Sequence, residues 1–201
     1  RVDFDAKLAI EKVWDAGVGG KDRALRLALA PFVADARVYA AGGGGNVYAF
    51  DATTGRTLWR TQTELPLSGG PAAGDRLVVA GTSDGQLIAL DAANGAKKWQ
   101  VRLTGEVLSA PAVAPNAVVV RTVDGHVRAL APATGAELWS DDETVPRLSL
   151  RGNAPPVIAG DTVLCGFDNG KVAAYALGNG DVLWETAVSP ARGRTELESL
   201  N

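Results

Sequence analysis

The sequence predicts an all-β fold, a β-propeller of four-stranded blades, and three observations carry that prediction. The first is a repeat: Trp14, Trp59, Trp99, Trp139 and Trp184 stand 45, 40, 40 and 45 residues apart. The second is the register of other residues against these Trp. A Gly lies four residues before each of the last four (Gly55, Gly95, Gly135, Gly180), another fourteen before (Gly45, Gly85, Gly125, Gly170), and a Pro twenty-eight before (Pro31, Pro71, Pro111, Pro156). The third is composition: 24 Gly, 10 Pro, no Met and a hydrophobic fraction of 46% in 201 residues, the profile of many short strands joined by tight turns. Self-similarity at this period marks solenoids and propellers. One short four-stranded sheet cannot bury both of its faces, but radial stacking lets each sheet cover its neighbour.

The elements follow in order. LAIEKVW (Leu8 to Trp14) reads as an outer fourth strand with no first three strands before it, the kind of strand that closes a ring by joining the last blade. Four blades come next, over about 25–61, 67–101, 107–141 and 151–186, each ending on a near-identical segment such as VYAFDATTGRTLW (Val47 to Trp59) or LIALDAANGAKKW (Leu87 to Trp99). The third blade shows the plan: SAPAV around Pro111, then AVVVRT, then HVRALA, then the strand carrying Trp139. The Asp-Gly and Asn-Gly pairs at Gly85, Gly125 and Gly170 predict type I′ hairpins with positive φ between strands two and three. The Trp residues are expected to anchor the contacts between blades, each burying roughly 150–250 Å². The five extra residues of the two longer periods fall between a Trp and the next Pro, so they lengthen links between blades. Residues 187–201 lead towards a further blade, and the chain reads as half a ring. Its uncovered sheet face and strand edges predict association with the other half of the same propeller or with a second copy.

Charge and single residues exclude several functions. With 20 basic and 23 acidic residues, net −3, the chain lacks the basic excess of a nucleic-acid binder. One cysteine, Cys165 in TVLCGF, excludes an intrachain disulfide and a Cys-based metal site and reads as a small buried hydrophobe. No apolar stretch approaches the roughly 18 residues that span a bilayer, and no signal-peptide pattern follows Arg1, so the expectation is that any export signal or lipid anchor lies outside this chain. Asp51 and Asp91 open the DATTG and DAANG turns; a calcium loop needs several oxygen ligands, and the matching positions in the other blades are Ala131 and Ala176, so turn capping is expected. Gly42 to Gly45 lacks the Lys-Ser/Thr of a phosphate cradle. His126 follows a hairpin, no Ser or Cys has a nucleophile context, and Arg23, Arg26, Arg192 and Arg194 read as surface charges. No metal or cofactor site is predicted.

The segment A-x-D-x-x-T-G-x-x-x-W, as in Ala49 to Trp59, resembles the repeat of pyrroloquinoline-quinone-type propellers. Four stretches narrow this: VPRLSLRGNAPP (Val145 to Pro156), GRTELESLN (Gly193 to Asn201), DNGKVAAY (Asp168 to Tyr175) and the region around Trp14. They resemble the BamB family, lipoproteins of the outer-membrane β-barrel assembly machine, over the N-terminal half of an eight-bladed ring. The resemblance implies a non-catalytic periplasmic scaffold, anchored through a lipid that this chain does not carry, which binds the POTRA domains of BamA and assists delivery of unfolded outer-membrane proteins. It also implies that Leu148, Leu150 and Arg151 are partner-binding, and that the family's further acidic docking residues lie beyond Asn201. Alternation about Ser149 alone would make the two leucines ordinary inward-facing strand residues. Two other readings stand beside this one. A quinoprotein dehydrogenase would hold quinone and calcium and resembles its relatives in a vicinal Cys pair, which a single Cys165 cannot form; the other alternative is a ligand-sensing propeller.

Overall fold

The computed structural model describes residues 11–19, 29–143 and 154–188. They form four antiparallel sheets of four strands, each in simple up-and-down order. Blade 1 holds β1 (Phe32–Ala34), β2 (Arg37–Ala41), β3 (Asn46–Asp51) and β4 (Thr57–Gln62). Blade 2 holds β5 (Leu67–Gly74), β6 (Leu77–Thr82), β7 (Gln86–Asp91) and β8 (Lys97–Arg102). Blade 3 holds β9 (Ala112–Val113), β10 (Val118–Arg121), β11 (His126–Leu130) and β12 (Glu137–Asp142), and blade 4 holds β13 (Val157–Ala159), β14 (Thr162–Gly166), β15 (Lys171–Ala176) and β16 (Val182–Ala187). The first strands converge: β5 touches β1 and β2, and β9 touches β5 and β13. That is the radial arrangement of a propeller, with β4, β8, β12 and β16 on the rim.

The middle strands read as unbroken apolar runs because both faces of a sandwiched sheet are buried. In β6 every residue is buried, with Val78 and Ala80 turned to blade 1 and Leu77 and Val79 to blade 3. Blade 3 repeats the division, with Val118 and Val120 in the layer shared with blade 2 and Val119 in the layer shared with blade 4. The core is therefore three layers, one per junction, and each large aliphatic side chain contributes about 1.5–3 kcal/mol by burial. The rim strands β4, β8 and β12 bury little but their Trp. The Trp is aimed by a bulge: Thr57 pairs with Phe50 and Trp59 with Ala49, leaving Leu58 unpaired, and the register shifts at the matching place in all four blades. One extra residue re-aims the side chain that follows it.

One expectation needs correction. Gly45, Gly85, Gly125 and Gly170 do take positive φ, at 88°, 81°, 94° and 78°, but their hairpins are not type I′. The residues before them are not in the left-handed region, and Gly125 N–H bonds Thr122 O at 3.1 Å while Thr122 N–H bonds His126 O at 2.9 Å. This is a three-residue loop, a type I turn closed by a left-handed Gly. Thr82 and Thr122 favour it by donating their hydroxyls to Asp84 and Asp124. Two consecutive left-handed residues, the type I′ signature, occur instead in the first hairpins, at Asp35-Ala36 and Asp75-Arg76. At the start, the described residues 11–19 belong to no sheet of this chain, and Trp14 docks as a blade Trp does; residues 8–10 of the expected ring-closing strand lie outside the described residues.

Candidate protein-docking site

The scaffold beneath the site is a relay of Trp side chains. Each indole N–H donates to a carbonyl of the following blade: Trp14 to Ala52 at 2.9 Å, Trp59 to Ala92 at 2.9 Å, Trp99 to Pro132 at 2.7 Å and Trp139 to Leu177 at 2.8 Å. Each ring covers the turn glycine of that blade. A Cβ at Gly55, Gly95, Gly135 or Gly180 would lie 2.6–2.8 Å from Trp14, Trp59, Trp99 or Trp139 respectively. The fixed distance from Gly to Trp in the sequence is thus a donor–socket pair passed between blades. Trp184, the last of the series, is 48% exposed.

Leu148, Leu150 and Arg151, with Arg23, Arg26, Arg192 and Arg194, lie outside the described residues. The ground on either side of the 144–153 link is described. The chain leaves blade 3 through Asp142 and Glu143 and re-enters at Ala154, beside the hairpin between β14 and β15. Glu143 accepts from Asn169 Nδ2 at 3.0 Å and pairs with Lys171 Nζ at 3.2 Å. Below them Arg121 Nη2 meets Asp168 Oδ1 at 3.0 Å, with side chains only 2% and 9% exposed, and the guanidinium carbon lies 5.4 Å from the Phe167 ring centre. Sequence reasoning passed over Arg121 and Glu143. The signal for Arg121 was present: it ends an apolar strand where the other blades carry Ala41, Gly81 and Gly166.

The other singled-out residues have structural work. Asp51 Oδ1 accepts from the N–H groups of Thr53 and Thr54 and from the Thr54 hydroxyl, and these bonds, led by the Thr54 N–H, hold its carboxyl below the usual range. Asp91 accepts from Ala93 N–H at 2.8 Å and pairs with Lys98 at 3.0 Å; the Lys98 contact is the largest cause of its lowered pKa. Among the described residues no cluster of His, Cys, Asp or Glu is arranged to hold a metal ion. Burial pushes the Cys165 thiol up to about 12, consistent with a packing role. His126 bridges two carboxylates, Nδ1 to Asp142 and Nε2 to Asp124 at 3.3 Å.

Comparison with known proteins places this architecture. A family model described as outer membrane protein assembly factor BamB matches residues 9–67 and 43–201. The outer membrane protein assembly factor BamB of Alkalilimnicola ehrlichii is 60% identical over 198 residues, which is 98% of this chain and 52% of that protein. The Pseudomonas aeruginosa protein of the same description is 54% identical over 198 residues, 98% of this chain and 52% of its own length. The crystal structure of BamB from Moraxella catarrhalis superposes with a TM-score of 0.79 at 30% identity, covering 87% of this chain and 54% of that one. The chain spans about half the length of the curated relatives it matches.

Proposed function

This chain belongs to the BamB family of outer membrane protein assembly factors, and on that premise we propose that it is part of a non-catalytic docking scaffold for the assembly of outer-membrane β-barrel proteins. The scaffold works on the periplasmic side of the outer membrane, held there by a lipid anchor. Its partners are the POTRA domains of BamA, and its clients are unfolded outer-membrane proteins. The observation that carries the docking role is the composition and place of the link between blades 3 and 4. Leu148, Leu150 and Arg151 lie in the longer of the two kinds of inter-blade connection. Loops held on a rigid scaffold are where binding concentrates. Two Leu beside an Arg supply apolar contact together with a guanidinium that makes bidentate bonds to a carboxylate.

The test is calorimetric titration of the full-length protein against purified POTRA domains, with thermal melts alongside. Arg151→Ala, or Leu148→Ala with Leu150→Ala, should weaken binding by about 2 kcal/mol or more, the level of an interface hot spot, while the melting temperature stays near that of wild type. Unchanged affinity overturns the docking role. A collapsed melting temperature means that the leucines are core residues.

A further inference from the structure

Up-and-down order puts the first hairpin of each blade beside the turn into its rim strand, at the end remote from Gly85 and Gly125. In blade 1 the tip of that hairpin is Asp35-Ala36 and in blade 2 it is Asp75-Arg76, all four residues left-handed. Both tips are tied to the turn of their own blade: Ala36 O accepts from Ala52 N–H at 3.0 Å and Arg76 O from Ala92 N–H at 2.8 Å. Arg37 and Leu77 follow in the same register, paired with Ala34 and Gly74. There the likeness ends. The Arg37 guanidinium crosses to blade 2 and donates from Nη1 to Ala92 O, beside the Trp59 indole. Leu77 cannot make that crossing to Pro132 O of blade 3, which accepts from Trp99 Nε1 at 2.7 Å. A cleft of about 390 Å³ lies here between blades 2 and 3, a size common among ligand sites.

The lining is apolar where Leu77 meets Pro115 and Pro132 of blade 3, and charged at Asp75, Arg76 and the Asp91–Lys98 pair. Asp91 is already satisfied, by Ala93 N–H at 2.8 Å and Lys98 Nζ at 3.0 Å. The Lys98 side chain is 47% exposed, and its ammonium has further N–H donors to give. Among the described residues the Arg76 guanidinium and the Asp75 carboxylate make no hydrogen bond or ion pair, with each other or with a neighbour. A cation thus stands on a fixed hairpin beside an apolar cleft, where blade 1 uses its own to span the junction. The open groups are several N–H donors and one carboxylate. A fitting ligand brings an oxyanion for Arg76 and Lys98, an apolar side chain for Leu77 and the two Pro, and an N–H for Asp75. A polypeptide with acidic and apolar side chains supplies all three, and a phosphate or a fatty acid lacks the N–H. We propose that this cleft is a second docking site, which takes an extended acidic and apolar peptide segment of a partner. The Arg76 fork holds its carboxylate, since guanidinium and carboxylate match in bidentate geometry. The site does not depend on the docking reading above, and its test uses no POTRA domain.

The experiment is fluorescence anisotropy of a labelled, end-blocked hexapeptide of alternating Asp and Leu, titrated with the full-length protein, with thermal melts of every variant. Wild type should bind it, and more weakly as salt rises. Arg76→Ala should weaken binding roughly tenfold, the loss of a charge-assisted bond. Arg76→Lys keeps a point charge without the fork and should recover only part of the affinity. Arg76 is exposed and Ala36 holds the matching place in blade 1, so melting temperatures should stay near wild type. Leu77→Arg gives blade 2 the residue that spans the first junction, and it should fill the cleft and abolish binding. Leu77 is buried; should that variant fail to fold, Arg76→Ala decides alone. Wild-type affinity in Arg76→Ala overturns the proposal, as does a wild type that does not bind the peptide. Equal affinity for an alternating Lys-Leu peptide overturns it as well. So does equal competition by glutarate or inorganic phosphate, which offer the charge without the N–H or the apolar side chain.

Discussion

The junction between blades 2 and 3 and the outer side of blade 4 each carry a rim Trp in the same register, yet one Trp is covered and the other is not. Trp99 pairs with Ala89 across its bulge, and Trp184 pairs with Ala174 in the same way. Trp99 is 7% exposed, with its N–H on Pro132 O and its ring over Gly135. Trp184 is largely exposed, as are Val182, Leu183 and Val188 around it. Every residue of β16 is exposed. A blade therefore aims its own Trp but cannot bury it. The socket, a glycine turn and a carbonyl, belongs to the next repeat. This is the nearest-neighbour logic of repeat proteins, in which interfaces contribute the stability that single repeats lack.

The largest effect that tests this contrast is Trp deletion. Trp99→Ala should destabilise the chain by about 3–5 kcal/mol, the range for large aromatic residues in a core. Trp184→Ala in the same 201-residue chain should cost under about 1 kcal/mol, as for an exposed surface position. Denaturant titration measures both, and equal costs would break the comparison.

A smaller effect separates the socket from an ordinary turn. Gly135 has φ +74° and a Cβ there would lie 2.8 Å from the Trp99 ring, whereas Gly160 has φ +60° with nothing within 4 Å of its Cβ. Gly160→Ala should cost only the left-handed backbone term, about 1–2 kcal/mol. Gly135→Ala adds overpacking of roughly 1–3 kcal/mol. A reversed ranking in chemical denaturation would mean that the ring is not seated on the glycine.

The smallest effect sharpens a second contrast, between turns opened by Asp51 and Asp91 and those opened by Ala131 and Ala176. Both Asp have folded-state pKa values lowered from 3.8. The sign follows: their contribution is fully present above the unfolded value and is lost as pH falls through the lower folded one. Asp51→Ala and Asp91→Ala should each reduce the melting temperature slightly near pH 7, with the difference from wild type vanishing by about pH 2. A difference that persists at low pH would place their role in packing rather than in charge. The cue for the turns was local and legible: Asp two or three residues before the N–H groups it caps.

The sequence alone determined the all-β fold, its four-stranded blades and their number, and the positive φ of the hairpin glycines. The reason is that these depend on short-range geometry repeated at a fixed period, so four copies vote on each position. It misjudged the hairpin type, because an Asp-Gly pair serves both the two-residue turn and the three-residue loop, and the same loop forms from Gly42, Thr122 or Phe167. Tertiary structure decided what lies across blades. Arg121 finds Asp168 forty-seven residues away, and Glu143 finds Asn169 twenty-six away. No local pattern encodes those meetings, since they arise only when one sheet is rotated onto the next. Radial stacking likewise decided how Trp14, Trp59, Trp99 and Trp139 became relay members: burial is a property of the neighbour, and the sequence of a single repeat holds no record of it.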